Sequence, residues 1–274
     1  RTPLLNLANY EHFKGHHHYL PNALKYLKPY EKEFPANIPI YDDRCCVYKN
    51  PLNDTSINNS EEYNFVLLRY SESFKNFETL NRNQILDMIT PSEEALLIAR
   101  SSVVSGSLLK LHDHIICVHT RRGDFLSAAK PAPSTAKFTE ASIEFMVKRV
   151  TGKYKKRKPM VVLFGQDRPF LQGLFKNGTN FSVTIANSSS SIPPVDWAFS
   201  HQFCDSFIIT AAASTFGWWG AYASRGQDIY YNTVVSKPGK YGRTFNGDDF
   251  FPKDWKPMEF ELNSGKIGLR PPYV

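Results

Sequence analysis

Cysteine is scarce in this chain, with four in 274 residues: Cys45, Cys46, Cys117 and Cys204. None stands in the C-x-x-C spacing of a structural zinc site, so a site of that kind is not expected. Adjacent cysteines bridge each other only with strained geometry, so Cys45 and Cys46 can each bond elsewhere in an oxidising compartment, and the pairing stays open. Long apolar runs are missing too. The longest, 115–118 and 160–164, have the length of a strand, far short of the ~20 residues of a membrane-spanning helix. No signal peptide is present, and the chain opens on Arg1. No Asp-x-Asp pair occurs anywhere, which removes one common means of holding a divalent ion. Consecutive His16, His17 and His18 do not converge on a metal and read as a solvated run. There is no internal repeat, and low complexity is confined to the serines of 187–191.

What is present is enough apolar matter for a real core. Hydrophobic residues make up 42% and aromatic residues 14% of the chain, which suits one large or two modest domains. The net charge of +7 and pI of about 9.1 suit an anionic partner: nucleic acid, a membrane surface or a phosphate-bearing small molecule. The aromatic-basic interleaving of nucleic-acid modules is absent, so no nucleic-acid partner is expected. The basic run 153–158 reads as a solvated turn. Five N-x-S/T sequons begin at Asn53, Asn58, Asn177, Asn180 and Asn187. They fall in polar, loop-like stretches, where glycan acceptor sites are reachable, and point to the secretory pathway.

The first third is punctuated by Pro29, Pro35, Pro39 and Pro51 and is irregular in pattern. A strand is predicted at 65–70, a short helix at 81–89, and a second helix from Ser92 to about 107. Beyond residue 110 the pattern is cleaner. Strands are predicted at 115–120, 160–164, 181–186, 207–210 and 228–232, the last being the final strand. Between them lie helices at 138–150, capped by Thr139, then 168–175, 195–204 and from Thr215 onward. Strands alternating with helices at this spacing imply βαβ units, a parallel sheet and an α/β fold. Ligands of such sheets bind at the carboxyl ends of the strands, so the residues there are the candidates.

Three clusters qualify. His119-Thr120-Arg121-Arg122-Gly123-Asp124 follows the strand at 115–118, and two arginines at a strand end can fork onto a diphosphate. A salt-bridged strand end would look the same, and Arg122-Gly123-Asp124 also spells an adhesion tripeptide, though beside an apolar strand rather than on a loop tip. Ser214-Thr215-Phe216-Gly217-Trp218-Trp219-Gly220 opens a helix whose N–H groups and hydroxyls suit an anion; simple capping by Ser214 or Thr215 is the plainer alternative. Trp218 and Trp219 read as core. In Phe164-Gly165-Gln166-Asp167, Asp167 could meet a base edge or ribose hydroxyl, or cap a helix. With no Asp-x-Asp to hold a metal on a diphosphate, fixed cations become the natural counter-charge for a leaving nucleotide.

Residues 119–124 resemble the HxRRxD signature of α1,2-fucosyltransferases and, more loosely, of α1,6- and protein O-fucosyltransferases. Residues 214–222 resemble that family's late STFxWW-AY motif. Phe164-Gly165-Gln166-Asp167 is similar to its F-x-D-D block, with Gln166 in place of the first acid, and Phe251-Pro252-Lys253-Asp254-Trp255 to its closing aromatic-Pro-x-x-Trp segment. The resemblance covers residues 110–255 well and the first third faintly. It implies a GT-B-like α/β fold with two Rossmann-like lobes: an acceptor-side lobe over 1–112 and a GDP-fucose lobe over 113–274. It implies an inverting, metal-independent transferase without cofactor, acting on GDP-fucose and a galactose-terminated glycan. It also implies a type II Golgi membrane protein whose anchor lies upstream. By position, Arg121 grips the phosphates with His119 and Arg122 in support. Ser214, Thr215 and Phe216 close on the phosphates, Asp167 touches the nucleoside, and Asp124 is the candidate general base. The family's early Gly-x-Gly-Asn segment is missing, so the unit carrying it is expected before Arg1. A degenerate relative of the same fold, binding polyanions or glycans without turnover, is the other reading.

Overall fold

The computed structural model describes residues 20–22, 37–40, 46–48, 50, 64–67, 73–103, 105–127, 131–153, 158–187, 193–235 and 245–270. His16 to His18, Cys45, the sequons at Asn53 and Asn58, and most of the basic run 153–158 lie outside them.

Two strands in the first third, β1 (Asn37–Ile40) and β2 (Asn64–Leu67), pair in parallel. The first was not expected from its sequence. Helices α1 (Arg82–Met88), α2 (Glu93–Ile98) and α3 (Gly106–Lys110) follow. Asn81 and Gln84 form a reciprocal capping box on α1, and Ser92 caps α2 through the Ala95 amide. The single helix predicted from Ser92 to 107 is therefore interrupted: a π turn, Ala99–Val103, separates α2 from α3.

The remaining elements are β3 (His114–His119), α4 (Ala136–Lys153), β4 (Pro159–Phe164), α5 (Arg168–Gly173), β5 (Ser182–Ile185), α6 (Pro193–Phe203), β6 (Ser206–Ile209), α7 (Thr215–Ala223), β7 (Asp228–Asn232), α8 (Gly247–Phe250), β8 (Lys256–Glu261) and β9 (Lys266–Leu269). Asp228–Asn232 is not the final strand, since β8 and β9 extend the sheet. Thr139 does not cap α4 either: the helix starts at Ala136, and Thr139 sits one turn inside it with its hydroxyl on the Thr135 carbonyl. The residue that caps is Thr135, whose Oγ1 accepts from the Phe138 amide.

The sheet runs β5-β4-β3-β6-β7-β8-β9, parallel except for β9. Chain order thus moves outward from β3 through β4 to β5, returns to the far side of β3 with β6, and moves outward again. This is the Rossmann order, and it places a topological switch point between β3 and β6. The central strands β3, β4, β6 and β7 are buried on both faces, so they read as continuous apolar runs. Alternate side chains of β3 serve opposite cores: Ile115 and Cys117 face α6 and α7, whereas Ile116 and Val118 face α4 and α5. Cys117 and Cys204 form a disulfide across this frame, with Cα atoms 5.6 Å apart, joining β3 to the turn before β6. Helix α4 buries Phe138, Ile143, Met146 and Val150 along one stripe. In α2, Ala95 and the following Ala99 are small enough to bring that segment close to α6 in the other core.

Trp218 belongs to this second core. It is buried, its indole N–H donates to the Phe250 carbonyl at 3.0 Å, and its ring stacks on Tyr222 and tilts against Trp255. Trp219 packs beside it on Phe77.

Candidate active site

The three clusters meet at one edge. β3, β4 and β6 run in the same direction and in register, His119 beside Phe164 on one side and Ile209 on the other. The residues after each strand therefore emerge together at the switch point.

His119 ends β3 with its side chain buried. Its ring lies against Phe216, centroids 5.4 Å apart. Gly217 approaches so closely that a Cβ there would stand 2.6 Å from Nδ1, and among the described residues that nitrogen has no hydrogen-bond partner. Burial, reinforced by the nearby Arg121 charge, depresses the imidazole to about 3, so the ring is neutral at ordinary pH. Thr120 donates its N–H and Oγ–H to the Phe164 carbonyl at 2.8 and 3.0 Å. Across from it, a Cβ on Gly165 would fall 2.1 Å from Thr120 Oγ1, so only glycine fits there.

The two arginines then diverge. Arg121 Nε donates to Asp124 Oδ1 at 3.0 Å, and its guanidinium lies over the Phe125 ring. Arg122 Nε donates to Asp167 Oδ2 and its Nη1 to the Ser134 carbonyl, both at 2.9 Å, with the guanidinium carbon 4.4 Å from the centre of the Phe170 ring. Among the described residues, the Asp124 carboxylate holds Arg121 rather than the amides of its own turn.

Asp167 does two jobs. Oδ1 caps α5 by accepting from the Phe170 amide at 3.0 Å, and Oδ2 holds Arg122. Those two bonds, the amide first, keep its carboxyl below the usual carboxylate range. On the third strand end, Ser214 caps α7 through the Gly217 amide and is buried. Thr215, the first helical residue, is exposed. Phe216 stacks on Trp197, whose indole N–H donates to the Phe216 carbonyl at 3.3 Å.

Three residues of this edge were missed in the sequence. Ser134, fully buried, accepts from the Arg121 amide at 2.9 Å and pairs with the Thr210 hydroxyl at 2.6 Å. Thr210 in turn donates to the His119 carbonyl at 2.8 Å. Asn232, at the end of β7, donates to the Thr210 carbonyl. Ser134 sits in Pro131-Ala132-Pro133-Ser134-Thr135, a turn-forming stretch whose hydroxyls could have been read as anchors. Thr210 and Asn232 carried no signal beyond standing at strand ends. Of the sequons, Asn177 and Asn180 lie exposed between α5 and β5, and Asn187 is exposed just beyond β5. All three lie at the β5 edge of the sheet, away from the switch point.

The family model of glycosyl transferase family 11 matches residues 7–259, and the chain belongs to that family. A galactoside 2-alpha-L-fucosyltransferase of Caenorhabditis elegans is 35% identical over 246 residues, covering 82% of this chain and 59% of its own length. A second protein of that organism, svh-11, provisionally described as a galactoside 2-alpha-L-fucosyltransferase, is 30% identical over 274 residues, covering 95% of this chain and 71% of its own. The chain thus spans about three fifths to seven tenths of the length of these relatives. The crystal structure of the NodZ alpha-1,6-fucosyltransferase soaked with GDP-fucose is 12% identical with a TM-score of 0.37, covering 72% of this chain and 55% of that one, a likeness too slight to bear on the chemistry.

Proposed function

We propose that this chain is the catalytic part of an inverting fucosyltransferase that moves L-fucose from GDP-fucose to a galactose hydroxyl in α1,2 linkage. One observation carries the reading: the switch point of a Rossmann-ordered sheet is walled by two arginines and by the hydroxyl-bearing N-terminus of α7. The relatives' names supply the sugar, the acceptor and the linkage. Residues 113–274 are the donor-binding lobe in this reading, and 1–112 belong to the acceptor side.

In the reaction the acceptor oxygen forms a bond to the fucose anomeric carbon while the bond from that carbon to the β-phosphate oxygen breaks. The acceptor proton passes to a base and GDP departs with the bonding electrons. Arg121 meets the charge that grows on the phosphate, and Ser214, Thr215 and Phe216 close the phosphate pocket. Arg122, held by Asp167, steadies the loop while Asp167 stands beside the nucleoside. His119, neutral and packed under α7, supports the floor. Asp124 takes the acceptor proton once the phosphate draws Arg121 away from it. Charge neutralisation by side chains replaces a divalent ion, so no metal or cofactor is required. The protein acts in the Golgi lumen, anchored by a segment outside this chain; five sequons and the Cys117–Cys204 disulfide support that location.

The test is release of GDP from GDP-fucose in the presence of a galactose-terminated acceptor, with the product linkage read by NMR. Binding of GDP-fucose without turnover would favour a degenerate relative, and transfer to another hydroxyl would overturn the α1,2 assignment.

A further inference from the structure

We infer that Ser134 and Thr210 are positioning residues whose buried hydroxyls form a directed chain that fixes the Arg121–Arg122 loop for the donor diphosphate. The inference rests on the phosphate-clamp reading above and concerns what holds the clamp in place.

The direction of the chain follows from proton counting. Each hydroxyl has one proton to give. The Thr210 hydroxyl gives its proton to the His119 carbonyl at 2.8 Å. It can therefore only accept across the 2.6 Å contact with Ser134. The Ser134 hydroxyl, having given its proton to Thr210, accepts from the Arg121 amide at 2.9 Å. The order is fixed: Arg121 N–H to Ser134, Ser134 to Thr210, Thr210 to the His119 carbonyl. Both hydroxyl residues are fully buried, out of reach of bulk water.

The backbone of Ser134 adds two more ties. Its N–H donates to the Arg121 carbonyl at 2.9 Å, and its own carbonyl accepts from Arg122 Nη1 at 2.9 Å. Ser134 thus holds Arg121 by both its side chain and its main chain and Arg122 by its main chain, while Thr210 ties Ser134 to the ends of β3 and β6. The Thr210 amide also donates to the His119 carbonyl, and Asn232 holds the Thr210 carbonyl. Breaking the hydroxyl chain should therefore loosen the loop at the Arg121 amide, while the main-chain ties of Ser134 and the strand pairing remain. Small displacements of a charged clamp are costly, since misplacement by about 1 Å can lower turnover on the order of a hundredfold.

The experiment compares Ser134→Ala, Thr210→Val and Thr210→Ser with the parent. Val keeps the shape of threonine without its hydroxyl, and Ser keeps the hydroxyl. Turnover of GDP-fucose is normalised to folded protein, measured by circular dichroism at the assay temperature. Ser134→Ala and Thr210→Val should each lose about tenfold or more in kcat, whereas Thr210→Ser should stay near the parent. The decisive readout is coupling. If Ser134 acts through Arg121, adding Ser134→Ala to Arg121→Ala should cost almost nothing further, whereas a general loss of fold would multiply the two effects. Parent-like turnover in Ser134→Ala and Thr210→Val, or fully multiplicative losses, would overturn the inference. If every hydroxyl-free variant fails to fold, including the milder Ser134→Cys, the hydroxyls hold the fold rather than the clamp and the inference again fails. A parent that releases no GDP sinks the functional reading itself, a different outcome from a parent that turns over equally well without Ser134.

Discussion

Arg121 and Arg122 are neighbours in sequence but are held very differently. Among the described residues the ion pair of Arg121 is with Asp124, whose side chain is 47% exposed. Exposed pairs of that kind contribute about 0–1 kcal/mol, so a phosphate can displace the carboxylate at little cost. Arg122 is held by Asp167, by the Ser134 carbonyl and by Phe170 at once. In the proposed reading the first engages the phosphate and the second shapes the loop. Arg121→Ala should therefore cost on the order of 3 kcal/mol in kcat/KM, as for loss of one charge-stabilising donor, with the melting temperature nearly unchanged. Arg121→Lys keeps the charge but loses the fork and should already be damaging. Asp124→Asn should lower kcat more than it weakens GDP binding, and turnover equal to the parent would remove Asp124 as the base. If Arg121→Ala folds and keeps parent turnover, the clamp reading fails.

His119 gives a second prediction at this scale. Its folded value of about 3 lies below the ordinary 6.5, so between those pH values the unfolded chain binds a proton that the folded chain refuses. Stability should then fall as pH drops below 6.5. At pH 5 the loss should approach ~2 kcal/mol, taking 1.36 kcal/mol per unit. His119→Asn should flatten that part of the stability profile, measured by urea denaturation between pH 5 and 7. An unchanged slope would show that the imidazole is not kept neutral.

The helices beside the site start on residues that serve two masters. Asp167 caps α5 with one oxygen and holds Arg122 with the other. Asp167→Asn can keep the cap through its side-chain oxygen but loses the ion pair, whereas Asp167→Ala loses both. The alanine variant should lose about 1 kcal/mol of stability from the cap alone, and both should weaken GDP-fucose binding. Equal binding by the asparagine variant and the parent would mean that Arg122 does not depend on this carboxylate. β3, β4, β6 and β7 were legible because strands buried on both faces are continuous apolar runs. So was the convergence of residues 119–124, 164–167 and 214–216, because parallel strands deliver their ends to one edge. β8 was not legible, since Lys256–Glu261 mixes charge, proline and apolar residues at the margin of the sheet. The start of α4 was misplaced because Thr135 and Thr139 are both credible caps and only the fold decides between them. Ser134 and Thr210 stayed hidden because a hydroxyl's partner lies far away in sequence, 76 residues apart in this case.

For the whole molecule, the disulfide and the sequons bear on the same question of compartment. Cys117 and Cys204 are fully buried and 87 residues apart. Closing a loop of that length in the unfolded chain is worth about 4–5 kcal/mol in the chain-entropy account. Cys117→Ala with Cys204→Ala should therefore lower the melting temperature by roughly 10 °C or more, allowing ~2–4 °C per kcal/mol at this size. The native protein should resist reductant until it is partly unfolded, because neither sulfur is reachable. A protein relying on this bond would fold poorly in a reducing cytosol and well in an oxidising lumen. The same lumen holds the glycosylation machinery, and Asn177, Asn180 and Asn187 are exposed where it could reach them. Expressed through a secretory host, the protein should lose mass on treatment with an N-glycan-removing enzyme, read by mass spectrometry of peptides carrying Asn53, Asn58, Asn177, Asn180 and Asn187. The same preparation should show Cys117 and Cys204 in one linked peptide before reduction. Sequons unmodified at all five positions, together with free thiols at Cys117 and Cys204, would sink the lumenal assignment. Glycans with free thiols would keep the compartment but remove the disulfide from the account of stability.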